Sequence, residues 1–242
     1  MRSPEKASIA MDSKATRAQR MFSSIANRYD LFNTVSSFNR DSYWRRFAVG
    51  HTGVGREALV LDVGVGTGKL MSELVRQKGA SAIGVDLCED MLTRAKDVAL
   101  DGTAGFALAR AECLPFPDDI FDCAISGFTL RNVSELRSTL EEMVRVVKAG
   151  GRVVCLEFTP PSRGLTGVAY RMYLTTMLPL LGCLVSGRRA PYTYLPRSIK
   201  EFQSPEELKH TMEEVGLTDV QFYLLTLGTV AVHVGTNVGQ AH

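Results

Sequence analysis

Ala58-Leu59-Val60-Leu61-Asp62-Val63-Gly64-Val65-Gly66-Thr67-Gly68 is the stretch that decides the fold: an apolar run meets an acid and then glycine at every second position. The short β-branched run reads as a strand buried on both faces, and Leu70, Leu74 and Val75 continue with helical spacing over 69–78. Strand, tight loop and helix start place a ligand cradle at the strand's carboxyl end. The dinucleotide fingerprint G-x-G-x-x-G requires glycine where this chain has Lys69. A carboxylate at Asp62 facing the loop repels a pyrophosphate and attracts an ammonium or sulfonium group. S-adenosylmethionine carries both cations. Asp62, Gly64, Gly66, Thr67 and Gly68 are therefore candidate contacts to that molecule, against the competing reading of an ordinary glycine-rich turn.

A second buried strand, Ala82-Ile83-Gly84-Val85-Asp86, ends in another acid about 20 residues after the glycines, where a carboxylate grips ribose hydroxyls. Two carboxylates at adjacent strand tips with a glycine loop between them resemble the class I S-adenosylmethionine-dependent methyltransferases. Downstream, the spacing predicts a helix over 91–100, a strand over 106–109 and an adenine-side loop over 111–116. Arg110 and Ala111 are the candidate contacts there. A fourth strand over 121–126 leads to Gly127, a further cofactor candidate; a helix over 135–147 and a fifth strand over 151–158, after a Gly150-Gly151 turn, follow. This alternation predicts an α/β fold: a Rossmann-like doubly wound parallel sheet with right-handed crossovers.

A chain of 242 residues with 45% hydrophobic content supports a large core. Its 28 basic and 26 acidic residues form no basic block, so nothing points to nucleic acid. The five cysteines show neither a C-x-x-C pair nor zinc spacing; they read as reduced thiols of a cytoplasmic protein, with no metal expected. Residues 1–13 read as a disordered tail, with Met11 as an alternative start. Residues 14–50 read as a helical cap over the cleft, carrying the apolar stripe Ala18, Met21, Phe22, Ile25 and Ala26. Residues 51–242 form the catalytic domain, with a helical lid inserted at about 160–200. Within it, the apolar run from Tyr170 to Val185, interrupted by Pro179, is too short to span a bilayer. It is either a core helix pair or a lid lining a greasy tunnel and touching a membrane peripherally. Ser204, Pro205 and Glu207 announce a capped helix, and 220–227 with 229–234 a terminal hairpin around Gly228 that supplies an antiparallel edge strand.

Several motifs narrow the resemblance: Tyr29-Asp30-x-Phe32-Asn33, Leu130-Arg131-Asn132-Val133, Arg145 to Gly151 followed by Leu156-Glu157-Phe158, Tyr194-Leu195 with Ser198-Ile199, and Leu225-Thr226 before Val230-Ala231-x-His233-x-Gly235. Together, from about Lys14 to Gly235, they resemble the ubiquinone/menaquinone biosynthesis C-methyltransferase family. The resemblance implies methylation of a ring carbon on a prenylated quinol, with demethylmenaquinol or the methoxy-benzoquinol precursor of ubiquinone as acceptor.

Such a carbon attacks a sulfonium methyl only when an adjacent hydroxyl nearly loses its proton, so the site must stabilise a phenolate-like oxygen and hold three atoms in line. Arg131 and Asn132, just past the fourth strand, are the candidates, although Arg131 could instead pair with a structural carboxylate. Tyr29 and Asp30 from the cap could orient the hydroxyl, Asp30 through water because its ordinary pKa makes it a weak base. His233 reads as structural. The chain departs from the family pattern at Asp41, where histidine usually stands three residues before tryptophan, and at Arg110, where asparagine or aspartate is common; Ala149, Thr159 and Arg197 are milder departures. Two other readings stay open: a methyltransferase for another small molecule, and a cofactor-binding subunit without turnover. The sequence leaves a homodimer open as well.

Overall fold

The computed structural model describes Thr16, Gln19, Arg20, Met21, Ser23 and residues 29–98, 104–186 and 190–239. The tail over 1–13 and four of the five stripe residues of the cap (Ala18, Phe22, Ile25 and Ala26) lie outside the described residues. Residues 29–36 (α1) and Asp41–Gly50 (α2) are helical. The alternating pattern then forms as read: β1 (Leu59–Val63), α3 (Lys69–Lys78), β2 (Ser81–Asp86), α4 (Glu89–Val98), β3 (Ala104–Leu108), β4 (Phe121–Gly127), α5 (Leu136–Val146) and β5 (Val147–Phe158).

These strands form one sheet with β6 (Leu217–Leu225) and β7 (Val230–Asn237), in the order β3-β2-β1-β4-β5-β7-β6. Parallel pairing joins β3, β2, β1, β4 and β5, and β7 runs antiparallel to both neighbours. The reversed strand thus sits one position in from the edge, which β6 occupies. Strand order turns back at β1, with β2 on one side and β4 on the other, so the cleft opens above the carboxyl ends of these strands. Both sheet faces are covered. Leu74, Met71 and Trp44 pack on one face; Leu140, Met143, Leu208 and Met212 pack on the other.

Two local features differ from the sequence expectation. Gly150 and Gly151 lie inside a long β5 rather than in a turn before it, and the β4–β5 register shifts between Phe121 and Cys123 to accommodate them. Pro179 does not break the lid. α6 (Leu165–Met172) continues through a wider π turn (Tyr173–Met177) into α7 (Leu178–Ser186), and a π turn alters the ladder just where proline removes an N–H. α8 (Ala190–Lys200) and α9 (Pro205–Glu214) complete the helices; at α9, Glu207 N–H donates to Ser204 Oγ (3.3 Å) and Ser204 N–H to Glu207 Oε2 (2.8 Å), the predicted capping box.

Of the cysteines, Cys88, Cys123 and Cys155 are buried and Cys183 half-buried, whereas Cys113 is exposed; all are free. His233 is 1% exposed on β7, its Nε2 2.9 Å from the Pro205 carbonyl oxygen, and it lines neither of the cavities described next.

Candidate active site

Two cavities meet above the sheet. The first, about 1010 Å³, lies over the β1, β2 and β4 tips. Its floor is the glycine loop, where Gly64, Gly66 and Gly68 all have positive φ. At Gly64 a Cβ would strike Thr129, and at Gly68 it would crowd the Ala95 backbone; at Gly66 it would meet nothing and project into the cleft. Backbone there can approach a ligand as no side-chain-bearing residue would allow. Gly66→Val, which adds both a disfavoured φ and bulk in the ligand's space, is expected to abolish S-adenosylmethionine binding in a calorimetric titration while the circular dichroism melt remains cooperative.

Asp62 at the end of β1 is 1% exposed, and neither of its oxygens has a hydrogen-bond partner among the described residues. Burial, and then the neighbouring charge of Asp86, push its carboxyl up to about 7, against the opposing pull of Arg45. An isolated buried carboxylate is costly and calls for a cation. Asp86 is differently held: its Oδ2 accepts from Gly66 N–H (2.9 Å) and its Oδ1 from Cys88 N–H (2.8 Å). Burial raises its pKa and these backbone bonds restrain the rise. Arg110, Ala111 and Gly127 line the same cavity, with Arg110 Nε 3.6 Å from Glu112 Oε2. An orphaned acid for an ammonium, a pinned acid for ribose and an open glycine cradle fit S-adenosylmethionine. Among the described residues no cluster could hold a metal ion.

The second cavity, about 1530 Å³, is walled mostly by apolar and aromatic side chains of the cap, the lid and the Thr226–Gly228 turn. It shares Tyr29, Arg45 and Phe128 with the first, so the two open on either side of one partition. Phe128 holds a left-handed backbone (φ 60°) and packs in one aromatic cluster with Trp44, edge-on at a ring-centroid distance of 6.1 Å, and Phe158, tilted at 4.7 Å. That conformation, unusual for a bulky residue, marks a position the surrounding packing dictates.

The predicted catalytic residues are distributed around this partition. Arg131, in the 3₁₀ turn Leu130–Asn132, lines the second cavity; its Nη1 donates to Glu157 Oε1 and to the Phe128 carbonyl, each at 2.6 Å, while its Nε has no partner among the described residues. The carboxylate that the sequence left unnamed is therefore Glu157, 1% exposed, whose pKa burial raises and Arg131 opposes. Asn132 lines the first cavity, its Nδ2 donating to the Phe128 carbonyl (3.1 Å) and its Oδ1 accepting from Tyr194 Oη (3.1 Å). Tyr29 borders both cavities. Asp30 lines neither: its Oδ1 accepts from Thr67 Oγ1 (2.8 Å) and lies 3.6 Å from Lys69 Nζ, so it ties α1 to the glycine loop. Sequence reading missed Arg45, Phe128 and Trp44 as site residues. Arg45 and Trp44 sit beside the Asp41 departure, which was the available signal; Phe128 offered none beyond following Gly127.

This sheet order, the reversed β7 and the two acidic strand tips define a class I S-adenosylmethionine-dependent methyltransferase. The same architecture occurs in a possible histamine N-methyltransferase from Thermotoga maritima (TM-score 0.65, 22% identity, 90% of this chain and 99% of that one). It occurs also in the CurJ carbon methyltransferase (TM-score 0.55, 19% identity, 76% and 50%). At these identities the likeness is one of fold. Sequence is more specific: residues 10–237 match the ubiE/COQ5 methyltransferase family, and the chain belongs to it. A demethylmenaquinone methyltransferase of Thermus thermophilus is 43% identical over 218 residues, covering 89% of this chain and 99% of its own. A ubiquinone/menaquinone biosynthesis C-methyltransferase of Hahella chejuensis is 38% identical over 233 residues, covering 94% of each. The chain is thus an S-adenosylmethionine-dependent C-methyltransferase.

Proposed function

We propose that the protein methylates a ring carbon of a prenylated quinol, demethylmenaquinol or the methoxy-benzoquinol of ubiquinone synthesis. The observation that carries this is the second cavity: an aromatic-lined space meets the cofactor cleft at Tyr29, Arg45 and Phe128, so a flat ring there can face the donor's methyl group while its tail follows the lid. S-adenosylmethionine, when bound, supplies an electrophilic methyl. Arg131 lies on the acceptor side of the partition and Asn132 on the donor side, and the Arg131 guanidinium stabilises charge on the quinol oxygen. Tyr29 orients the ring from the cap. Asp30 acts from the donor side, holding Thr67 and the cap over the loop. Mass spectrometry of quinones from a strain lacking the protein should show the demethylated precursor accumulating, with methylated product restored on complementation. An unchanged quinone profile would point instead to another small acceptor.

The acceptor's apolar tail favours a peripheral membrane contact. No helix among the described residues is long and apolar enough to cross a membrane. Among the residues lining the second cavity, however, Phe38 is 72% and Leu227 84% exposed, both with left-handed backbones; on α6, which lines the cavity through Thr166 and Ala169, Leu165, Val168 and Met172 form an exposed apolar stripe. Exposed apolar groups clustered at the mouth of an apolar cavity are suited to a bilayer surface. The protein should float with anionic phospholipid vesicles, and Phe38→Asp with Leu227→Asp should leave it in the bottom fraction. Equal flotation of the double variant would refute this orientation.

A further inference from the structure

We infer that Arg45 receives the carboxylate of the donor's methionyl end and that Asp41 holds it open for that purpose. The methionyl end is a zwitterion, and an ammonium partner alone leaves its carboxylate to be buried without compensation. Among the described residues three cations line the cofactor cavity, Arg45, Lys69 and Arg110. Lys69 Nζ lies 3.6 Å from Asp30 Oδ1, on the α1 side of the cavity, and Arg110 stands just past β3 beside Glu112, on the side assigned to the adenine. Arg45 remains, projecting from α2 into the partition near the ammonium's expected partner, Asp62.

Arg45 is 9% exposed and 5.8 Å from the Phe128 ring centroid. Its Nη1 donates to Asp41 Oδ2 at 2.5 Å, and Asp41, itself 3% exposed, is fixed further by Ser37 Oγ, which donates to Asp41 Oδ1 at 3.1 Å. Two buried acids therefore compete for one guanidinium, and Asp41 wins. Asp62 keeps both oxygens unpartnered even though Arg45's charge acts on it. Without Asp41, the guanidinium would be drawn onto Asp62 and would cap the very group an ammonium needs. With it, Arg45 and Asp62 present opposite charges separately, as the two ends of an α-amino acid require. The fork geometry of arginine suits a carboxylate, and one charge-assisted contact of this kind is worth roughly 10- to 100-fold in affinity.

Decarboxylated S-adenosylmethionine, which keeps the ammonium and sulfonium but lacks the carboxylate, isolates the contact. Calorimetric titration at pH 8, without acceptor, should show that Arg45→Gln weakens S-adenosylmethionine binding roughly 10- to 100-fold and decarboxylated S-adenosylmethionine at most about twofold. Because Arg45→Gln leaves Asp41 buried and unpaired, Arg45→Gln with Asp41→Asn provides a neutral, hydrogen-bonded pair should the single variant fail to fold; it should show the same ratio. Any change in Asp62 acts on both ligands alike, so the ratio reports the carboxylate. Asp41→Asn alone should weaken both ligands, as Arg45 moves onto Asp62. Equal losses for the two ligands in the double variant would overturn the assignment. Unchanged affinities for both would also overturn it and place Arg45 with the acceptor.

Discussion

Arg131→Ala lowers kcat by on the order of 10²–10³ while leaving the KM for S-adenosylmethionine within a few-fold, the loss typical of one preorganised donor aimed at developing charge. The sulfur of the donor goes from positive to neutral as the methyl moves, whereas the quinol oxygen is most negative before and during attack. A cation on the acceptor side therefore favours the transition state over the bound substrates. The same substitution strips Glu157 of its partner at 2.6 Å, and an unpaired buried carboxylate costs about 3–5 kcal/mol of stability. Rate and stability are separable. Arg131→Ala combined with Glu157→Gln removes the lone charge, so the melting temperature should largely recover and the rate should not. Arg131→Lys should rescue little, because an ammonium has its three donors on one nitrogen and lacks the spread of the planar guanidinium, which holds Glu157 and the Phe128 carbonyl through Nη1 and offers a quinol oxygen a separate edge. Single-turnover methylation of a short-tailed demethylmenaquinol is the measurement. Wild-type rates in the double variant would remove Arg131 from the chemistry.

Asp62→Asn should weaken S-adenosylmethionine binding by roughly 1–3 kcal/mol and, in the same protein, raise stability without ligand at pH 8. Its carboxyl is raised in the folded state to about 7 from an ordinary 3.8, so between those values the folded protein binds more protons than the unfolded chain. Stability is then fully present below about pH 4 and is lost as pH rises through 7, on the order of 4 kcal/mol for a shift of that size. Asparagine removes that slope. The melting-temperature advantage of Asp62→Asn should accordingly widen from pH 5 to pH 8. Binding has the opposite sign: a cationic ligand selects the ionised acid, so wild-type affinity falls by up to tenfold per unit below about pH 7, with a proton released on binding. Titrations at pH 6 in phosphate and bis-Tris buffers, both of which buffer there and whose ionisation heats differ, would reveal that proton. Identical heats, with affinity flat from pH 6 to 8, would exclude Asp62 as the ammonium's partner.

The glycine loop and the strand tips beside it were legible in the chain. Glycines at 64, 66 and 68 declare positive φ, and an acid ending a short apolar run declares a strand tip, because each depends on local sterics and on strand length rather than on distant contacts. The Ser204 capping box was legible for the same reason. The lid was only half legible. A proline in an apolar run predicts a break, but a π turn carries the helix past it, supported by burial of Leu174 and Leu178 against Phe32 and Ile199, residues remote in sequence.

By itself the sequence determined the alternating sheet, the glycine cradle, the two acids and the family, all matters of local pattern. Tertiary structure decided the partners. Arg131 meets Glu157 across 26 residues, Asp30 meets Thr67 across 37 and Trp44 Nε1 donates to Thr226 across 182, pairings that no local periodicity encodes. It also decided that Asp62, on another element, comes near Arg45 without bonding to it. The Asp41–Arg45 pair itself is local, four residues apart on α2 with Ser37 a further four back; packing α2 against the sheet is what buries it and brings Asp62 within range of its charge.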